Sequence, residues 1–150
     1  MNLRCAYDDR YKPPMPVVHV RVSLPNGGEP VAVSMIVDTG ADRTLLPASV
    51  VRELGLPPVG VIEMRGIGNT GPAATVHGAA VSFGPFRSLI QVIAFMDEAI
   101  LGRDVLNRFV ATLDGPALTL SINPRRPSAA LPPGGKPRSS IASPRRKRPT

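Results

Sequence analysis

The run Val31–Val37 reads Val-Ala-Val-Ser-Met-Ile-Val and leads directly into Asp38. Val31, Val33, Met35 and Val37 alternate with Ala32, Ser34 and Ile36, so both faces of the strand are largely apolar and burial on both sides is expected. A carboxylate at the end of a buried strand is costly unless it is hydrogen-bonded, paired or protonated. The residues that follow supply the means. Thr39 brings a short hydroxyl, and Gly40 lets the backbone approach a neighbour or a ligand closely.

The neighbouring sequence has the punctuation of a small β domain. Val18, Val20, Val22 and Leu24 alternate with His19, Arg21 and Ser23, a half-exposed strand with His19 on its solvent face. Pro25-Asn26-Gly27-Gly28 turns that strand back into Val31–Val37 as a hairpin. Pro47 and Gly55 bracket a short helix over Pro47–Leu54. Val59–Arg65, Thr75–Phe83 and Ser88–Phe95 read as further strands, the first two joined by the glycine-rich tip Gly66-Ile67-Gly68-Asn69-Thr70-Gly71. Leu101, Val105, Leu106 and Phe109 fall at helical spacing, which starts a second helix near Arg103. Ala111–Leu113 and Leu118–Ile122 flank Asp114-Gly115-Pro116 as a closing hairpin. The expected fold class is mainly β, small and closed, with one or two short helices.

Charge divides the chain. Of the 18 Lys and Arg residues, Arg125, Arg126, Lys136, Arg138, Arg145, Arg146, Lys147 and Arg148 lie beyond Ile122, where no acidic residue occurs. The formal net charge of +7 therefore belongs to the tail, and the rest of the chain is close to neutral. Three segments are expected: a flexible lead-in over 1–16, a folded domain over 17–122, and a disordered Pro/Arg-rich tail over 123–150. A basic tail is an electrostatic footprint for nucleic acid, but it offers no aromatic residue to stack on bases. A solvated extension is the preferred reading. One cysteine, Cys5, excludes an intrachain disulfide framework, and His19 and His77 are too far apart in sequence to mark a metal-ligand cluster. No apolar run has signal-peptide or membrane-spanning length, so the default expectation is a cytoplasmic protein.

Asp-Thr-Gly alone is a weak signal, and its setting strengthens it. The motif ends an apolar strand, continues as Ala41-Asp42, precedes a glycine-rich hairpin, and is followed some sixty residues later by Ile100-Leu101-Gly102-Arg103-Asp104. This ordered set, spanning Val17–Ile122, resembles the retroviral-type aspartic proteases, the retropepsins, and their bacterial single-domain relatives. The resemblance implies an acid-protease fold of retropepsin type and hydrolysis of peptide bonds. Asp38 would be the catalytic carboxylate. Thr39 would hydrogen-bond across a two-fold axis, and Gly40 would offer its carbonyl to the substrate. Ala41, Asp42 and the flap residues Gly66, Ile67, Gly68 and Asn69 would border bound peptide. Asp42 and Arg103, with Gly102, would support the site as an ion pair beneath it. No metal or organic cofactor is implied.

Aspartic proteolysis needs two carboxylates that share a proton. The chain offers one Asp-Thr-Gly, and the nearest second candidate, Leu113-Asp114-Gly115, lacks the hydroxyl and sits in a turn. With 150 residues a two-lobed monomer is excluded, so the expected active species is a homodimer with peptide or protein as substrate. The alternative is a catalytically silent dimerisation or peptide-binding module with the basic tail as an interaction segment. Gly66–Gly71 also spells G-x-G-x-x-G, but Thr75-Val76-His77-Gly78 could hardly continue a helix, and no acid occurs between Glu63 and Asp97. A dinucleotide site is rejected on that ground.

Overall fold

In a computed structural model of the chain, residues 2–65, 71–95 and 97–124 are described. Ten strands and two helices follow one another in the order β1 (Leu3–Ala6), β2 (Val17–Ser23), β3 (Val31–Val37), β4 (Leu45–Leu46), α1 (Ala48–Leu54), β5 (Pro58–Glu63), β6 (Ala73–Phe83), β7 (Phe86–Ala94), β8 (Ile100–Leu101), α2 (Arg103–Leu106), β9 (Phe109–Asp114) and β10 (Thr119–Pro124). The β2–β3 hairpin predicted from alternation and the Asn-Gly-Gly turn forms with Val20 opposite Val33. Gly27 and Gly28 both take positive φ in the turn, where a side chain would be strained.

The larger sheet runs β2-β3-β8-β4-β7-β6-β5, and a further pairing of β2 with β6 closes its first six strands into a barrel. Two of its contacts are parallel, β3 with β8 and β4 with β7; the remaining pairings are antiparallel. Inside lie Val18, Val20, Val22, Met35, Leu46, Val81, Val92, Leu101 and Val105, all nearly or fully removed from solvent. Closure of this kind leaves few bare strand edges.

Strand β3 is buried on one face only. Val33, Met35 and Val37 face the core, whereas Ala32 and Ser34 are exposed and Ile36 is half-buried. The expected two-sided burial fails because, among the described residues, no helix layer covers the outer face of this strand. Ser34 there meets the ring of His19, with Oγ and Nδ1 2.9 Å apart.

The N-terminal segment also departs from the expected loose lead-in. Leu3–Ala6 is a strand that pairs antiparallel with β10, forming a second sheet of order β1-β10-β9. Beyond it, Asp8 and Met15 exchange backbone hydrogen bonds of 2.8 and 3.1 Å, and the Val37 N–H donates to the Pro16 carbonyl at 3.0 Å. Arg10, hydrogen-bonded to the Asp8 carboxylate, holds the latter's pKa down at about 2. Four residues alternate too briefly to signal a strand, and the partner of β1 lies more than a hundred positions away. Strand β10 runs two residues past the expected boundary at Ile122. The tail from Arg125 onward, with its expected disorder, lies outside the described residues.

Leu120 and Ile122 of β10 join the same buried cluster as Val18 and Met35, so the small sheet shares the barrel's core. Half-buried Leu3 packs against that cluster. Burial also raises the pKa of the Cys5 thiol, which makes it a poor nucleophile at neutral pH. Removing residues 1–6 is expected to lower stability by about 1–3 kcal/mol, because it uncovers apolar surface and one edge of β10. A thermal melt followed by circular dichroism checks this, and an unchanged midpoint would mean that β1 contributes nothing.

Candidate active site

Asp38 stands where β3 leaves the barrel, and its position is fixed largely by backbone contacts. Its N–H donates to the Leu101 carbonyl at 3.2 Å, extending the parallel β3–β8 contact by one residue. Its carboxylate oxygen Oδ1 accepts from the Gly40 N–H at 2.8 Å, and its carbonyl accepts from the Ala41 N–H at 3.3 Å. The loop thus folds back on its own carboxylate. The sequence implied a buried acid, but in a single chain Asp38 is half-buried and Thr39 and Gly40 are exposed. The strand delivers the group to an open surface, where among the described residues one carboxylate oxygen, Oδ1, has a hydrogen-bond partner.

The rest of the loop is clamped to the chain around β8 and α2. Arg103 and Asp104 donate their N–H groups to the carbonyls of Ala41 and Asp42, at 2.9 and 3.3 Å. The Arg103 guanidinium also forms an ion pair with the Asp42 carboxylate. Both side chains are exposed, so this pair is worth at most a fraction of a kcal/mol to stability. It joins the loop to the first residue of α2.

A deeper contact went unread in the sequence. Thr44 is fully buried, and its hydroxyl donates to Asp104 Oδ1 at 2.8 Å while its N–H donates to Oδ2 at 3.1 Å. The same hydroxyl accepts from the Gly102 N–H at 3.2 Å, and the Val105 N–H adds a bond of 3.0 Å to Asp104 Oδ1. One carboxylate thereby joins the end of the Asp38 loop to the start of α2. A polar residue directly before Leu45-Leu46 and a second charge after Arg103 were the only available signals. Gly102 is required by packing: a Cβ there would lie 2.5 Å from the Arg43 carbonyl carbon and oxygen.

Beside the loop a cavity of about 470 Å³ opens, bordered by Gly40, Ala41, Asp42 and Arg43 on one side and Ile62–Arg65 on the other. Leu45, Ile93 and Ile100 form its floor; Leu45 is in register with Ile93 on β7 and with Ile100 on β8, so the three make one aliphatic row. The sequence reading placed Ala41 and Asp42 at this border and missed the floor, which needs three strands distant in sequence. The wall opposite is the base of the β5–β6 hairpin, where the Met64 N–H donates to the Pro72 carbonyl at 3.2 Å. The tip residues Gly66, Ile67, Gly68 and Asn69 lie outside the described residues. Among the described residues no group of three or more His, Cys, Asp or Glu could hold a metal ion, and no helix is long and apolar enough to cross a membrane.

Replacing Thr44 by valine keeps the shape and removes the hydroxyl, leaving the Gly102 N–H without its acceptor and Asp104 Oδ1 with the Val105 N–H alone. A loss of about 1–3 kcal/mol is expected in urea unfolding. Gly102→Ala is expected to cost a similar amount through backbone overlap. A change below about half a kcal/mol in both would remove the clamp from the account.

Comparison with known proteins places this geometry. No curated protein sequence matches the chain. The retropepsin-like aspartic protease from Rickettsia conorii has a similar structure, at 20% identity and a TM-score of 0.57, over 81% of this chain and 90% of that one. The EIAV protease in complex with an inhibitor also matches, at 21% identity and a TM-score of 0.42, over 62% of this chain and 86% of that one. So does the retroviral protease-like domain of Ddi1 from Leishmania major, at 17% and 0.43, over 77% and 98%. The family model described as aspartyl protease matches residues 18–105, a span that holds Asp38, its clamp on Gly102–Asp104 and the cavity beside them. With that match covering more than half of its length, the chain belongs to the aspartyl protease family, and its fold is like that of the retropepsin-like protease.

Proposed function

We propose that this chain is an aspartic endopeptidase that works as a homodimer, with one Asp38 from each subunit. The observation that carries the reading is the Asp38 loop itself. A half-buried carboxylate, oriented by its own Gly40 N–H, faces outward beside a cavity of about 470 Å³ with an aliphatic floor. One such loop is half of the required chemistry. Two carboxylates brought together resist ionising at the same time, so between the two steps of their titration the pair holds one proton and acts as a unit. The ionised member takes a proton from water as that water attacks the scissile carbonyl carbon. The protonated member gives its proton to the carbonyl oxygen, and collapse of the tetrahedral species with protonation of the amine releases the two peptides. Exposed Thr39 would brace the paired loops, and the Asp42–Arg103 contact would keep each loop in register.

The small sheet supports association of two copies. Among the described residues strand β9 is an edge, paired with β10 alone, and its run Phe109–Leu113 carries no charge. Val110 and Leu113 are 54% and 49% exposed, a large apolar fraction for a strand edge left bare. Such edges are templates for pairing with another chain. The opposite edge, β1, carries exposed Arg4 and is shorter. The hairpin above the cavity, continued through Gly66–Gly71, would act as the flap that closes over extended peptide and excludes water.

Asp38→Asn is expected to lower peptide cleavage by at least about 10²–10⁴-fold with the fold intact. Its rate would follow no acid limb, whereas the wild-type rate should trace a bell in pH. At the acid side both carboxyls are protonated and no base remains; at the alkaline side both are ionised and no acid remains. Equal activity of the two proteins on a peptide library would exclude Asp38 as the catalytic group.

A further inference from the structure

Four charged residues border the cavity beside Asp38, namely Asp42, Arg43, Glu63 and Arg65, and they are not equivalent. Asp42 is engaged by Arg103. Along β5 and the residues after it, Val61, Glu63 and Arg65 are exposed while Ile62 and Met64 are half-buried. Glu63 and Arg65, of opposite charge, both belong to the hairpin wall across the cavity from the Asp38 loop. Arg43 remains. One of its terminal nitrogens donates to Gln91 Oε1 at 3.2 Å, across 48 positions of sequence. A neutral amide thus steadies the guanidinium without cancelling its charge, and among the described residues no other side-chain bond takes up its remaining N–H donors.

We propose that Arg43 makes this cleft selective for peptides that place a glutamate side chain in it, with the stem along Leu45, Ile93 and Ile100 and the carboxylate on the guanidinium. The aliphatic row alone would accept leucine or valine, and a cation alone at a surface would be weakly selective. Together they match an apolar stem that ends in an anion. Arginine suits this use because its planar fork can take a carboxylate through two parallel bonds, and such charge-assisted bonds are about twice as strong as neutral ones. The cavity is large enough for a stretch of peptide main chain as well as the side chain. The assignment rests on the protease reading for its location beside a scissile bond, but peptide binding tests it separately.

The test uses fluorescent decapeptide pools that are randomised except for one central position fixed as Glu, Gln, Leu or Lys. At about pH 6 the glutamate is ionised, well above its ordinary value near 4.3. Wild-type kcat/KM is expected to favour Glu over Gln and Leu by about tenfold and to disfavour Lys further. In Arg43→Glu the order of Glu and Lys should invert, and in Arg43→Met the advantage of Glu over Gln should vanish while Leu is still cut. The same order should appear as affinity in fluorescence anisotropy with Asp38→Asn, which binds without turnover. Selective binding with no cleavage by the wild type would reject the protease reading and leave the Arg43 assignment standing. A wild-type preference for Leu, an unchanged order in Arg43→Glu, or no binding of any pool would overturn the assignment.

Discussion

Thr44 and Asp104 meet across sixty residues, and that contact ties the far end of the Asp38 loop to the start of α2. The carboxylate of Asp104 accepts from the Thr44 N–H and hydroxyl and from the Val105 N–H, while the same hydroxyl accepts from Gly102. Four bonds concentrate at the point where the Asp38 loop re-enters the barrel and α2 begins. Buried polar groups are tolerated only when satisfied, and no buried side-chain polar atom among the described residues lacks a partner. A satisfied polar knot of this kind specifies one arrangement in a way that aliphatic packing does not. The exposed Asp42–Arg103 pair adds little energy and acts on the same loop from its outer side.

The barrel gives that knot its rigidity. The parallel contact of β3 with β8 delivers Asp38 and Gly102 side by side, and β4 carries the chain from Thr44 between β8 and β7. Both β4 and β8 are only two residues long, yet they seat Leu46 and Leu101 in the core. The same crossing places Leu45 and Ile100 outward with Ile93, so one structural feature both supports the Asp38 loop and builds the cavity floor.

Local pattern made much of this legible. Alternation and Asn-Gly-Gly found the β2–β3 hairpin, Pro47 and Gly55 bounded α1, and the strand-to-Asp-Thr-Gly junction with Leu101-Gly102-Arg103 pointed to the fold. The readings that failed share a cause. Strand β1 is four residues long and pairs with β10, β4 and β8 are too short to show a period, and the Thr44–Asp104 bond joins residues that look unremarkable alone. Each depends on non-local pairing, which periodicity cannot report. The outer face of β3 misled for a different reason: small apolar residues such as Ala32 tolerate exposure as well as burial. The cavity was beyond reach because its lining comes from four separate parts of the chain.

The central claim is that one active site needs Asp38 from two chains. Mixing tests it most directly. Wild-type and Asp38→Asn chains would be unfolded together, refolded at varied ratios and constant total concentration, and assayed for peptide cleavage. If a site requires both carboxylates, hybrids are inactive and activity follows the square of the wild-type fraction, falling to about a quarter at equal mixing. A linear dependence, with half the activity at equal mixing, would mean that each chain acts alone and would contradict the account.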